Sequence, residues 1–127
     1  MGQDILLENA VIKRFITKHK QEHYLSLIAN GNKRKKFIAE LAHFKHLKSP
    51  YFDKVDNSIE FNVKQRIGNI KDCYIISENE NIDTERCNID LALTKTIGYG
   101  MGTLLVFGDA EFVYYEGEEQ NDRWLSK

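Results

Sequence analysis

The sequence predicts an α+β fold in which an N-terminal helical hairpin packs on a small mixed sheet of βαββ type. Three observations lead there. Charge divides along the chain: residues 1–50 hold ten Lys/Arg against four Asp/Glu, net +6, whereas residues 51–127 hold eight against fifteen, net −7. The sole proline, Pro50, stands at the divide. The apolar pattern changes there too, from a helical period to short runs rich in β-branched and aromatic residues. A chain of 127 residues, 42% apolar and 29% charged, fits one domain with one core. We expect a helical layer over about residues 4–48, a sheet-containing layer over about 59–116, and a C-terminal tail over 117–127.

The first helical stretch runs over residues 4–29. Ile5, Val11, Ile12, Phe15 and Ile16 share a face, and a shifted set, Tyr24, Leu25, Leu27 and Ile28, follows. That pattern fits one long helix or two joined. Asn30, Gly31 and Asn32 supply a stop and a cap for the next helix, striped by Phe37, Ile38, Leu41 and Phe44 and ended by Ser49 and Pro50. So short a connection predicts an antiparallel helical hairpin.

Residues 51–71 are ambiguous; 59–63 alternate like an edge strand, and Gly68 with Asn69 reads as a turn. Residues 73–77 form a clearer strand, followed by a polar loop and a short helix that Asn88 caps and that Ile89, Leu93 and Ile97 anchor. A third strand at 103–107 leads through Gly108 and Asp109, as a two-residue hairpin, into a fourth at 110–115. The helical crossover predicts a parallel strand pair, and the hairpin an antiparallel one. Tyr114 and Tyr115, adjacent on a strand, point to opposite faces, which suggests that at least one is accessible.

No apolar run reaches the roughly 20 residues of a membrane span. The opening residues carry an early acid and lack the pattern of a secretory signal, so the expected address is cytoplasmic and no membrane partner is expected. The two cysteines, Cys73 and Cys87, are too far apart for a CxxC redox pair and read as reduced structural thiols, with a regulatory disulfide as the lesser reading.

Four histidines invite a metal reading, but helical phase sends His19 and His23 inward and His43 and His46 outward, and no HExxH motif is present. No metal and no other cofactor is expected. Lys33, Arg34, Lys35 and Lys36 are the sharpest local anomaly, since they fill a helix's first turn, where the macrodipole disfavours cations. They are candidates for binding a partner or an anion. Gly98, Tyr99, Gly100, Met101 and Gly102 follow a helix and precede a strand, the reverse of a phosphate loop. With His19 and His23 they are candidates for lining a ligand pocket. No serine lies in a GxSxG elbow, neither cysteine has a local catalytic signature, and no catalytic residue is assigned.

The expectation is a small interaction module that uses its opposed charges to bind a second protein or another copy of itself; an immunity or antitoxin role suits that size and charge. An enzyme or ligand-binding domain with a pocket near Gly98 and Gly102 is the alternative. Nucleic-acid binding through Lys33 to Lys36 is a third reading, and an isoelectric point near 6.4 disfavours it.

Overall fold

In the computed structural model, described over residues 3–41, 46–55, 58–119 and 122–127, five α-helices flank one six-stranded sheet. Helix α1 (Ile5–Phe15) begins where the Asp4 carboxylate accepts the Leu7 N–H at 3.1 Å. The long helix allowed by the sequence breaks after Phe15. Ile16 turns extended and forms a β-bridge with Leu47, and Thr17 N–H donates to the His46 carbonyl at 2.9 Å. That break is the physical cause of the shift in apolar phase. α2 (Gln21–Ala29) and α3 (Arg34–Leu41) follow, and the Asn30 side chain accepts the Asn32 N–H at 3.0 Å in the turn between them. Phe44, expected in the stripe of α3, lies outside the described residues.

The segment expected to be an edge strand at 59–63 is instead helix α4 (Ile59–Ile67). Ile59 and Val63 fit a period of two as well as a period of four. Ile67 decides for the helix, because 59, 63 and 67 are buried together while Phe61, which a strand would bury with them, is 65% exposed. Gly68, at φ +62°, ends it.

The strands are β1 (Phe52–Lys54), β2 (Asp72–Ser77), β3 (Arg86–Asn88), β4 (Thr103–Phe107), β5 (Phe112–Glu116) and β6 (Arg123–Ser126). Their order is β1-β6-β5-β4-β2-β3, with every neighbouring pair antiparallel. The parallel pair expected between β2 and β4 is therefore corrected. The short β3 turns the chain back before α5 (Ile89–Thr96), so the helical crossover joins β3 to β4. Those two strands run in the same direction with β2 between them. The β4–β5 hairpin has four loop residues, 108–111, rather than two; Gly108 and Ala110 take positive φ there. Of the expected C-terminal tail at 117–127, residues 123–126 are instead strand β6, which lies inside the sheet between β1 and β5.

Alternation along the strands divides the core in two. Tyr74, Ile76, Leu104, Val106, Val113 and Tyr115 pack with α1, α2 and α3. Cys73, Ile75, Leu105, Phe107, Tyr114 and Leu125 pack with α4 and α5. The sheet is thus covered on both faces, giving three layers where the sequence suggested two. Tyr114 and Tyr115 do point to opposite faces, yet both are buried because each face is roofed by helices. Among the described residues, no helix is long and apolar enough to cross a membrane.

Candidate interaction cleft

Two charged residues lie on helix faces that are otherwise apolar. Glu8, fully buried, shares the inner face of α1 with Val11, Ile12 and Phe15; Arg34 opens the face of α3 that carries Phe37, Ile38 and Leu41. They meet. Arg34 Nη1 donates to Glu8 Oε1 and Oε2 at 2.9 and 2.7 Å, and its Nε and Nη2 each donate to an Asp83 oxygen at 2.9 Å. Tyr74 Oη donates to Glu8 Oε2 at 2.7 Å and Gln3 Nε2 to Oε1 at 2.8 Å, while Asp83 Oδ1 also accepts the Ser77 N–H at 3.0 Å. Burial works against the charge on Arg34, but the hydrogen bonds and charges of Asp83 and Glu8 prevail and hold it protonated well above its ordinary value. Burial pushes the Tyr74 phenol up. Both carboxylates are satisfied, so the cluster ties α1 and α3 to β2 and the following loop and leaves no free reactive group.

Outside this network opens a cleft of about 920 Å³, lined by residues of α1's N-terminal turn, by Tyr74 and by residues 83–86. Leu6 stands at its rim, 82% exposed, beside Ile5 at 45%. A recess of about 280 Å³ shares Asp4, Leu6 and Arg86 with it and extends over Ala10, Gly108 and Asp109. Arg86 pairs with Asp4 and with Asp72 and lies over the Tyr74 ring at 5.5 Å, which fixes one wall. The other notable wall residue is Thr84. Ile75 N–H donates to the Glu85 carbonyl at 2.9 Å and Thr84 N–H to the Ile75 carbonyl at 2.8 Å, so two residues face one in a β-bulge. Thr84 takes φ +66°, a region costly for a β-branched side chain and favoured by glycine. Backbone strain of this kind concentrates at ligand-contacting positions.

The residues singled out in the sequence are dispersed. Of the basic run, Arg34 is committed to the internal network, Lys35 approaches Glu80 at 4.0 Å, and Lys33 and Lys36 are exposed. The misplaced cation in the first turn of α3 is therefore offset from within the chain. His19 and His23, expected inward, are exposed; His23 Nε2 lies 2.8 Å from Glu40 Oε1. His46, expected outward, is half-buried with Nδ1 2.6 Å from Tyr24 Oη, and His43 lies outside the described residues. Among the described residues, no three His, Cys, Asp or Glu side chains are grouped to hold a metal ion.

Gly98 and Gly100, both at positive φ, border a hollow of about 290 Å³ with Glu116, Gly117 and Arg123, and neither His19 nor His23 lines it. Buried Glu116 takes the Gly98 N–H at 2.9 Å and the Tyr114 hydroxyl at 2.8 Å and pairs with Arg123. The loop's backbone donor is thereby consumed, and Glu118 and Glu119 on the rim oppose an anion. Tyr99 and Met101 are exposed, whereas Gly102 is buried and its N–H donates to Glu78 Oε1 at 2.8 Å. Comparison with protein-family models, with curated proteins and with solved structures finds no match to this chain.

Proposed function

We propose that this protein is an interaction module that receives a partner protein in the cleft between the start of α1 and β3, with Leu6 and Ile5 as the apolar anchor. The observation that supports the reading is a large aliphatic side chain left in water at the rim of an open cleft. Covering Leu6 recovers about 1.5–3 kcal/mol, the usual gain for burying such a side chain. The surrounding Asp4, Glu85 and Arg86 supply a polar rim, the arrangement of an interface hot spot. A role in immunity or as an antitoxin, where a small chain occludes an effector, is one form such a module takes, and self-association is another. A reducing compartment such as the cytoplasm suits its two free thiols.

A photo-crosslinking residue placed at Ile5 tests this in the cells that make the protein. The expected result is an adduct of one defined mass, absent when the crosslinker replaces Phe61 and lost when Leu6→Asp is added. An adduct of twice the chain mass identifies self-association. Equal yields from both positions, or an adduct indifferent to Leu6→Asp, would refute the cleft.

A further inference from the structure

The two cysteines, 14 positions apart in sequence, are brought face to face by the strand register. β2 and β3 pair antiparallel with Cys73 directly opposite Cys87. Directly opposed residues carry their side chains on the same face of a sheet. Here it is the face under α4 and α5: Cys73 is fully buried in that core and Cys87, half-buried, packs against it. Opposed antiparallel residues have Cα atoms about 4.5–5.5 Å apart, inside the roughly 4.4–6.8 Å window of a disulfide. Both thiols are free, and the sequence holds no other cysteine.

We propose that Cys73 and Cys87 form a reversible oxidation site, closing an intramolecular cross-strand disulfide by exchange with a low-molecular-weight disulfide such as oxidised glutathione. Cys87, the more accessible, gives up its proton and its thiolate attacks one sulfur of the small disulfide; that S–S bond breaks and the far half leaves as a thiolate. Cys73 then gives up its proton and its thiolate attacks Cys87 Sγ, expelling the second small thiolate. Two protein thiols are oxidised, one small disulfide is reduced to two small thiols, and the two protons released end on those leaving groups. Burial raises both thiols, at Cys73 with a further contribution from the neighbouring Cys87. The exchange is accordingly slower than that of an exposed cysteine.

The bond has a structural consequence. β3 is a three-residue strand at the edge of the sheet, with β2 its one strand neighbour among the described residues, and its first residue, Arg86, continues the cleft wall from Thr84 and Glu85. Tying β3 covalently to β2 fixes that wall. This coupling rests on the proposed cleft, whereas the oxidation chemistry does not.

The test is incubation of the full chain with oxidised glutathione, followed by intact mass and peptide mapping without reductant. The expected product is a monomer lighter by two hydrogens, with the peptides bearing residues 73 and 87 joined, restored by dithiothreitol. Cys87→Ser, checked for native circular dichroism, should form no internal bond. A stable glutathione adduct on the unsubstituted chain, an intermolecular dimer, or no reaction while a free cysteine peptide reacts would each overturn the site. Crosslinking from Ile5, repeated on both redox states, should change in yield at least twofold. An unchanged yield overturns the coupling, and the absence of crosslinking in either state refutes the cleft while the mass result still decides the chemistry.

Discussion

Glu8→Gln isolates the charge at the centre of the buried network while keeping the side chain's shape. The carboxylate acts only as an acceptor: Oε1 receives Gln3 Nε2 and Arg34 Nη1, and Oε2 receives Tyr74 Oη and Arg34 Nη1. A carboxamide has one acceptor oxygen, so in either orientation its NH₂ group confronts the Arg34 guanidinium, and either Gln3 Nε2 or the Tyr74 hydroxyl loses its acceptor. Hydrogen bonds to a charged group contribute about 1.5–3 kcal/mol each, and breaking a buried pair costs about 3–5 kcal/mol. Arg34 keeps Asp83, which places the expected loss near the lower bound, about 3 kcal/mol. Against a total of about 5–15 kcal/mol for a domain, that is a large fraction. Urea unfolding followed by Trp124 fluorescence and by circular dichroism should show a lower midpoint with an unchanged slope. A cycle with Arg34→Met should return a coupling of at least about 1.5 kcal/mol. A loss under about 1 kcal/mol at constant slope would mean that the network does not hold α1 and α3 to β2.

Three further outcomes are expected. Thr84→Gly should stabilise the fold by about 0.5–1 kcal/mol, because relief of a positive φ outweighs the entropy glycine adds to the unfolded chain; thermal melts check this, and a net loss would show that Thr84 is unstrained. Thr96→Val should raise stability by about 1 kcal/mol, since the buried Thr96 hydroxyl has no hydrogen-bond partner among the described residues; destabilisation in urea titrations would show that the hydroxyl is bonded. Stability should also fall in alkali. Burial raises the phenols of Tyr24, Tyr74 and Tyr114, so the native state keeps protons that the unfolded chain loses as the pH passes its tyrosine value of 10.0. The stabilisation is complete below that value and drains away above it, by up to about 1.4 kcal/mol per pH unit for each tyrosine. Urea midpoints that stay flat between about pH 9 and 11 would contradict the burial of these rings.

The elements legible in the sequence are those whose signal is local. α1, α2 and α3 announce themselves by apolar phase and by Asn30, and β2, β4 and β5 by dense β-branched and aromatic runs. β1, β3 and β6 have three or four residues each and owe their conformation to partners distant in sequence; Phe52 pairs with Ser126, and Lys54 with Trp124. No window along the chain contains that information. The missed β3 also produced the wrong strand pairing, because the return it makes decides which strands the α5 crossover joins. The site was half legible. Glu8 lies three, four and seven residues before Val11, Ile12 and Phe15, and Arg34 stands in the same relation to Phe37, Ile38 and Leu41, so each is a charge placed on an apolar stripe. Two such misfits of opposite sign in one small domain imply each other, since either alone would leave an unpaired charge in the core. Leu6 is the reverse misfit, an aliphatic residue turned away from the stripe of α1. Phe61 on α4 is turned outward in the same way, but Leu6 is so at the rim of the cleft. Within the chain the misplaced charges found one another and were absorbed into the fold. Among the described residues nothing covers the misplaced aliphatic, and that asymmetry directs the search for a partner to the cleft rather than to the basic run.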